Sequence, residues 1–412
     1  MNFKTLAAVI LTLVYLYQLL LTAVRMRSAK NPVPANAADI YDEETYLRWR
    51  AYHGEKARFG MITSTVSYII DLLLLVLNVY AAFAKLFPPD AYNQMAAVLL
   101  LSSLSSLLLI PFTWYNTMVI EEKYGFNKAT LKTFIADQIK ELIIGLGLMI
   151  GIGALLTWAH QALGDWLIPA FAGFMTAIAL LFSFLYPFFS RIFNKFTPLE
   201  DGELKDKLTA LLQKNGYQVR SVKIMDASRR TTKSNAYFSG FGKMKTIVLY
   251  DTLVEAMTPD EICAVFAHEM GHGLHRDTLR NQIFAFLQMA VLGVLAWLTL
   301  RTEALFPDFG FSGVNYGFAI ILIMSVEFAL ISPLFGLLTN AFSRKAEYRA
   351  DAQAVKEGYG REQITALKKL ARQNFTNLAP SPLLVKLEYS HPTLSQRIAA
   401  IEKAADTKDR KE

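Results

Sequence analysis

Residues 268–272 read His-Glu-Met-Gly-His, the pattern in this chain best suited to chemistry. Two histidines four apart stand one turn apart on one helical face, so both imidazoles can reach a single ion. Glu269, between them, can sit beside a water that the ion activates and take its proton. Zinc lowers the pKa of such a water to about 7. The chain has only six histidines in 412 residues, so chance is a poor source of this spacing. The helix also carries its own start signal. Thr258 is a natural N-cap, Pro259 suits the first helical position, and Glu261 stands three residues after the cap. Zinc hydrolysis therefore leads, with one Zn2+ per chain as cofactor and His268 and His272 as ligands.

A catalytic zinc needs a third protein ligand and an open position. The metzincin pattern would require a glycine at position 275 and a histidine at 278. The chain has His275 and Thr278, so that class fails. His275 is a rival ligand, three residues after His272, although a helix-surface histidine is the plainer reading. Among the downstream glutamates, Glu303 falls in a loop on the far side of the membrane and Glu327 lies within an apolar segment. Glu347 follows that segment, in Glu347-Tyr348-Arg349-Ala350-Asp351. Glu347 and Asp351 share a helical face. One can bind zinc while the other orients a ligand histidine, and topology favours Glu347 as the ligand.

The elements that must position these residues are mostly apolar. Hydrophobic types make up 53% of the chain and charged types 19%, against the quarter usual in soluble domains. The charge deficit gathers in segments long enough for a bilayer. Seven are apparent: Thr5–Val24, Met61–Ala84, Met95–Trp114, Leu142–Trp158, Trp166–Phe189, Ile283–Leu300 and Val314–Thr339. The first is too long, and too poor in a small-residue cleavage site, for a signal peptide, and reads as an anchor. A disordered chain and a disulfide scaffold are excluded. The single cysteine, Cys263, permits neither an internal disulfide nor a thiolate cluster, and reads as a small buried hydrophobe.

Base-rich and base-poor loops alternate along the chain. Arg25, Arg27, Lys30, Arg48, Arg50, Lys56 and Arg58 lie between the first two segments, and only Lys85 between the next two. With basic loops inside, the N-terminus lies outside and the C-terminus inside, which requires an odd number of crossings. The net charge of +7 thus reads as orientation, with no nucleic-acid partner. Four regions follow: membrane helices one to five over 1–189, a cytoplasmic region with the HExxH helix over 190–281, membrane helices six and seven over 282–339, and a cytoplasmic C-terminal region with the third ligand over 340–412. In the first cytoplasmic region Leu204–Lys214 is helical in pattern. Val222–Met225, Ala236–Phe238 and Thr246–Tyr250 read as strands, with a turn at Gly240 and Gly242. Arg229, Arg230 and Lys233 are expected beside anionic lipid headgroups. Asp71 and Glu327, inside apolar segments, imply a wet cavity or a structural pair.

Beyond HEMGH and Glu347 to Asp351, several runs carry a resemblance. These are Glu121-Glu122-Lys123-Tyr124-Gly125-Phe126-Asn127, Asn194-Lys195-Phe196, Pro198-Leu199-Glu200-Asp201-Gly202, Ser234-Asn235-Ala236-Tyr237-Phe238, and Ser390-His391-Pro392 with Arg397-Ile398. In this order, over nearly the whole chain, they resemble the type I CAAX prenyl protease family of membrane zinc metallopeptidases. The resemblance implies a mainly α, multi-pass fold of seven membrane helices forming a hollow barrel, with a cytoplasmic α+β zinc metallopeptidase region. It implies His268, His272 and Glu347 as zinc ligands, Glu269 as general base and Asp351 as the supporting acid. It also implies Asn235 on the strand that holds the substrate backbone, and His391 and Arg397 near the transition state. An imidazole N–H or a cation beside zinc can stabilise an oxyanion, with Arg397 positioning His391 or the substrate. Asn235 beside a strand fits a peptide added to a sheet edge.

The expected activity is removal of the AAX tripeptide from prenylated CAAX substrates, at a membrane and in contact with its lipid. A general membrane quality-control protease would use the same residues. An intramembrane protease of the site-2 type is disfavoured, because Arg276, Asp277 and Arg280 follow HEMGH at once. A transporter or scaffold with structural zinc would need a fourth protein ligand. The compact length and the short loop between the last two apolar segments favour a bacterial inner membrane over an endoplasmic reticulum membrane.

Overall fold

The computed structural model describes residues 2–216, 221–239 and 246–410. The chain opens with α1 (Phe3–Ser28), α2 (Glu43–Val76), α3 (Ala91–Glu121) and α4 (Leu131–Leu163), each long and apolar enough to cross a membrane. Each starts at a side-chain cap. Asn2, Asp42, Asp90 and Thr130 accept the N–H of the residue three positions on, satisfying a donor that has no partner within the helix. A 27-residue helix follows, α5 (Leu167–Phe193), covering the fifth expected segment.

The polar region holds a four-stranded sheet of β1 (Phe196–Pro198), β2 (Ser221–Met225), β3 (Ala236–Ser239) and β4 (Thr246–Tyr250), in the order β1-β2-β4-β3. Three strands match expectation to within a residue; β1 was not foreseen. The Gly240 and Gly242 turn lies outside the described residues. β2 and β4 run parallel, while β3 is antiparallel to β4, with Tyr237 opposite Val248. Against the sheet pack α6 (Glu203–Lys214) and α7 (Pro259–Leu274). Their shared core includes Leu208, Leu211, Ile247, Leu249, Phe266 and Cys263. Cys263 is fully buried, and burial pushes its thiol up to about 11, as befits an inert filler.

The chain then forms α8 (Asp277–Arg301) and α9 (Tyr316–Lys356); with α1 to α4 these make six helices, among the described residues, that are long and apolar enough to cross a membrane. α10 (Gly360–Gln373) and α11 (Leu394–Asp409) complete the chain. α9 runs without a break from the seventh apolar segment past Thr339 through Glu347 and Asp351. It passes a wide π turn at Ile323–Glu327 and carries Pro333 inside. Small residues bring the membrane helices together. A Cβ on Gly317 would stand 2.4 Å from the Met95 carbonyl oxygen, and one on Gly153 would stand 2.6 Å from Met95 Sδ.

The basic run 229–233 is used differently from expectation. Arg230 forks onto Asp137 of α4 at 2.9 and 3.2 Å, and Lys233 Nζ lies 3.6 Å from Glu121 at the end of α3. Both cations therefore tie the sheet region to the membrane helices, leaving only Arg229 of the three exposed. Asp71 is exposed, 3.5 Å from the Ser67 hydroxyl. Glu327 accepts a hydrogen bond from Thr299 at 2.7 Å and borders a cavity of about 250 Å³.

Candidate active site

α7 carries HEMGH because its start and its packing are both fixed. Thr258 and Glu261 form the expected reciprocal capping box, with Pro259 in the first turn. Gly271 then allows α7 to press on α9. A Cβ there would lie 2.8 Å from Ala350 Cα, closer than side chains tolerate. Close approach at this glycine puts His268 and His272 opposite Glu347, one turn before Ala350.

His268 Nε2 lies 3.5 Å from Glu347 Oε2, and His272 Nε2 lies 3.3 Å from Glu347 Oε1. One donor atom from each of these three residues falls within 4.8 Å of the others, a spacing that can hold a metal ion. Two further observations fit an ion there. Glu347 Oε2 is buried and accepts no hydrogen bond, although the Arg397 guanidinium lies 3.3 Å away. Both histidines have Nδ1 engaged by a carboxylate, which leaves Nε2 to face the cluster. His268 Nδ1 bonds Asp351 at 2.9 Å and His272 Nδ1 bonds Asp277 at 3.0 Å. His275 sits exposed at the C-cap of α7, outside this group.

The supporting shell is larger than the sequence suggested. Asp351 Oδ1 also accepts from Arg397 Nη2 at 2.7 Å and from Gln363 of α10 at 3.1 Å. Asp277 is buried and held by Arg349 of α9 at 2.8 Å and by Arg280 at 3.0 Å. Asp277, Gln363 and Arg349 had no place in the expected site. One signal was available: two ligand histidines need two orienting partners, and the sequence had supplied only Asp351. Arg276, at φ 56, makes the sharp turn that brings Asp277 back onto His272. Arg397 lies within the site. Its buried guanidinium forks onto Asp351 at 2.7 and 2.9 Å and faces Glu347, so its direct contacts are to the carboxylates. A buried cation requires such pairing.

Glu269 has no hydrogen-bond or ion-pair partner among the described residues. Burial pushes its carboxyl above the ordinary range, and Glu347 adds to that against the pull of the two histidines. Such a carboxylate is the better proton acceptor. His391 Nε2 lies 3.3 Å from Glu347 Oε1, on a side chain 60% exposed. Its Nδ1 pairs with the Ser390 hydroxyl at 2.9 Å; donation from that hydroxyl leaves the ring proton on Nε2, facing the cluster. Partial desolvation and Arg397 lower the pKa of His391 against the pull of Glu347, favouring the neutral ring. Asn235 is exposed at the start of β3, which ends the sheet and packs against α7. Its main-chain carbonyl accepts from Tyr250 N at 3.1 Å. By strand alternation, the outward main-chain groups belong to Ala236 and Phe238.

Residues 23–195 match the family model for the CAAX prenyl protease N-terminal region with five membrane helices, and residues 198–405 match peptidase family M48. The chain is 32% identical to the CAAX prenyl protease 1 homolog of Oryza sativa subsp. japonica, over 96% of each chain. It is 31% identical to CAAX prenyl protease 1 of Saccharomyces cerevisiae, over 92% of this chain and 90% of that one. The crystal structure of S. mikatae Ste24p superposes with a TM-score of 0.89 at 30% identity, covering 98% of this chain and 99% of that one.

Proposed function

Since this chain belongs to peptidase family M48, in its CAAX prenyl protease branch, we propose that it is a membrane zinc endopeptidase that removes the AAX tripeptide from prenylated CAAX C-termini. The observation that carries this reading is the convergence of His268, His272 and Glu347, with Glu269 beside them and without a hydrogen-bond or ion-pair partner among the described residues. M48 membership implies a metal; the two imidazoles and one carboxylate suit zinc, one per chain. Zinc held there supplies Lewis acidity, lowering the pKa of water and polarising the scissile carbonyl.

The chain's own residues do the rest. The edge of β3 offers the Ala236 carbonyl and the main-chain groups of Phe238 to an extended peptide, while Asn235 Oδ1 at its head engages the Ala236 N–H. Glu269 takes a proton from the attacking water and passes it to the leaving amide nitrogen. The Nε2–H of His391 donates to the oxygen that gains charge. Asp351 and Asp277 hold the two histidines with Nε2 inward, and Arg397 balances the charge of Asp351 and Glu347.

In this reading the chain crosses seven times, with α5 as the fifth, and residues 190–281 and 340–412 lie on the cytoplasmic side of a bacterial inner membrane or of the endoplasmic reticulum. The membrane helices enclose a water-filled chamber in this reading. Purified protein in detergent should cleave a farnesylated CAAX peptide, lose activity to a chelator, and regain it with Zn2+. Glu269→Gln should retain zinc and lose about 10²–10⁴-fold in kcat. Near-wild-type turnover by that variant would sink the mechanism.

A further inference from the structure

The residue run that leads into β3 is gripped by its main chain from another element. Asn374, the C-cap of α10, accepts a hydrogen bond from Ser234 N through Oδ1 and donates to Ser234 O through Nδ2, both at 3.3 Å. Only one orientation of the amide satisfies both bonds. The Ser234 hydroxyl is buried with no partner, so the grip is on the backbone alone. Lys233 O accepts from Thr252 at 3.0 Å, and Asn235 O accepts from Tyr250 N at 3.1 Å. Three consecutive residues before the strand are thereby fixed.

Asn374 is itself held by an unusual turn. Phe375 adopts φ 48, a costly conformation for an aromatic residue. Its carbonyl accepts from Trp49 Nε1 at 3.0 Å and lies 2.7 Å from His53 Nε2, both on α2. Its ring packs edge-on against Tyr41, Tyr52 and Phe126. Strain of this kind persists only where the surroundings over-determine it, and here they are a membrane helix and a buried aromatic cluster.

We infer that Asn374 is a positioning residue that sets the register of the substrate strand against the metal cluster. The inference rests on the reading that β3 receives the peptide. Residues advance about 3.3 Å along a strand, and groups facing one edge recur every second residue. The ladder to β4 keeps β3 in its own register; loosening the grip on Ser234 lets the head of β3 tilt against α7, so a bound peptide seats less firmly and presents a neighbouring bond to Glu269 in part of its encounters. Asn374 touches no substrate. It acts through the Ser234 backbone, and Trp49 and His53 act through Phe375.

The test is cleavage of a farnesylated CAAX peptide by full-length protein in detergent, with products identified by mass spectrometry. Asn374→Ala is expected to raise KM about tenfold, the equivalent of two weak hydrogen bonds. It should leave zinc content unchanged and add products cut one or two bonds from the principal site. Trp49→Phe keeps the packing but removes a donor, and should give the same misplaced cuts to a smaller extent. Ser234→Ala leaves both main-chain bonds in place and should keep the wild-type product pattern. A wild-type pattern and KM in Asn374→Ala would overturn the inference, as would lost zinc or a uniform fall in kcat without misplaced cuts. Failure of the wild-type protein to cleave the peptide would instead overturn the proposed function.

Discussion

Gly271 is the residue of HEMGH with no chemistry of its own, and its replacement by alanine tests how the site is held. The added Cβ would meet Ala350 Cα at 2.8 Å, Gln353 Cβ at 3.1 Å and Ala350 O at 3.3 Å. Ordinary contact begins at 3.4 Å, so α7 and α9 must separate by about 0.6 Å at this point. Two of the three atoms are backbone and cannot rotate away. Glu347 lies on α9 one turn from Ala350, so it moves with the contact. A metal site tolerates about 0.2 Å in its ligand distances, and the displacement is about three times that. Gly271→Ala should therefore weaken zinc binding about 10–100-fold, as loss of a supporting partner does. Overpacking should also cost about 1–3 kcal/mol of stability, against a helix-propensity gain of about 1 kcal/mol. Chelator competition reads the first quantity and thermal unfolding the second. Gly145→Ala in α4, where nothing lies within 4 Å, is the control and should hold zinc like wild type. Adding Ala350→Gly should not rescue Gly271→Ala, because the opposing atoms are Cα and O. Wild-type zinc affinity in Gly271→Ala, or rescue by Ala350→Gly, would refute the close-approach argument.

Asp277→Asn removes the charge that faces His272, Arg280 and Arg349 while keeping the shape. It should lower zinc affinity about 10–100-fold with the far-ultraviolet circular dichroism unchanged; unaltered affinity would remove Asp277 from the site. Zinc uptake by chelator-stripped protein should also depend on pH. Burial pulls the pKa of His272 down, but hydrogen bonds to Glu347 and Asp277 win and raise it to about 9. Below that pH zinc must displace the proton, so affinity should rise roughly tenfold per pH unit from 6 to 8 and flatten above 9. A flat profile between 6 and 8, measured by competition with a chelator of known pH dependence, would contradict the assignment of His272.

What the sequence made legible was local. The capping box at Thr258, the one-turn spacing of His268 and His272, and the pairing of Glu347 with Asp351 all lie within a few residues, where helical period governs. The unforeseen parts are joined across long stretches of chain. Arg230 meets Asp137 and Lys233 meets Glu121 from different regions. No local pattern signals those partners, so Arg230 and Lys233 read as lipid contacts when they are internal ties. β1 was missed because it has three residues and ends in Pro198, which only an edge position tolerates. The apolar pattern ends at Thr339 while α9 runs on, because loss of hydrophobicity marks the edge of an apolar segment and not the end of a helix.

That continuation bears on the substrate. The third metal-site residue stands eight positions beyond Thr339 on the same helix, about 12 Å along its axis at 1.5 Å per residue. Each headgroup layer outside the hydrocarbon core is about 5–8 Å thick. With Thr339 at the edge of the hydrocarbon core, as the proposed topology has it, one continuous helix holds Glu347 a few ångströms beyond the lipid surface. A general protease gains nothing from a fixed distance to the bilayer. A prenylated cysteine does, because its lipid partitions into the membrane and the bond to be cut directly follows it. The geometry of α9 thus favours a lipid-anchored substrate whose scissile bond lies within a residue or two of its anchor. It also explains why one helix serves as both membrane span and ligand arm: a joint between the two would let the distance vary.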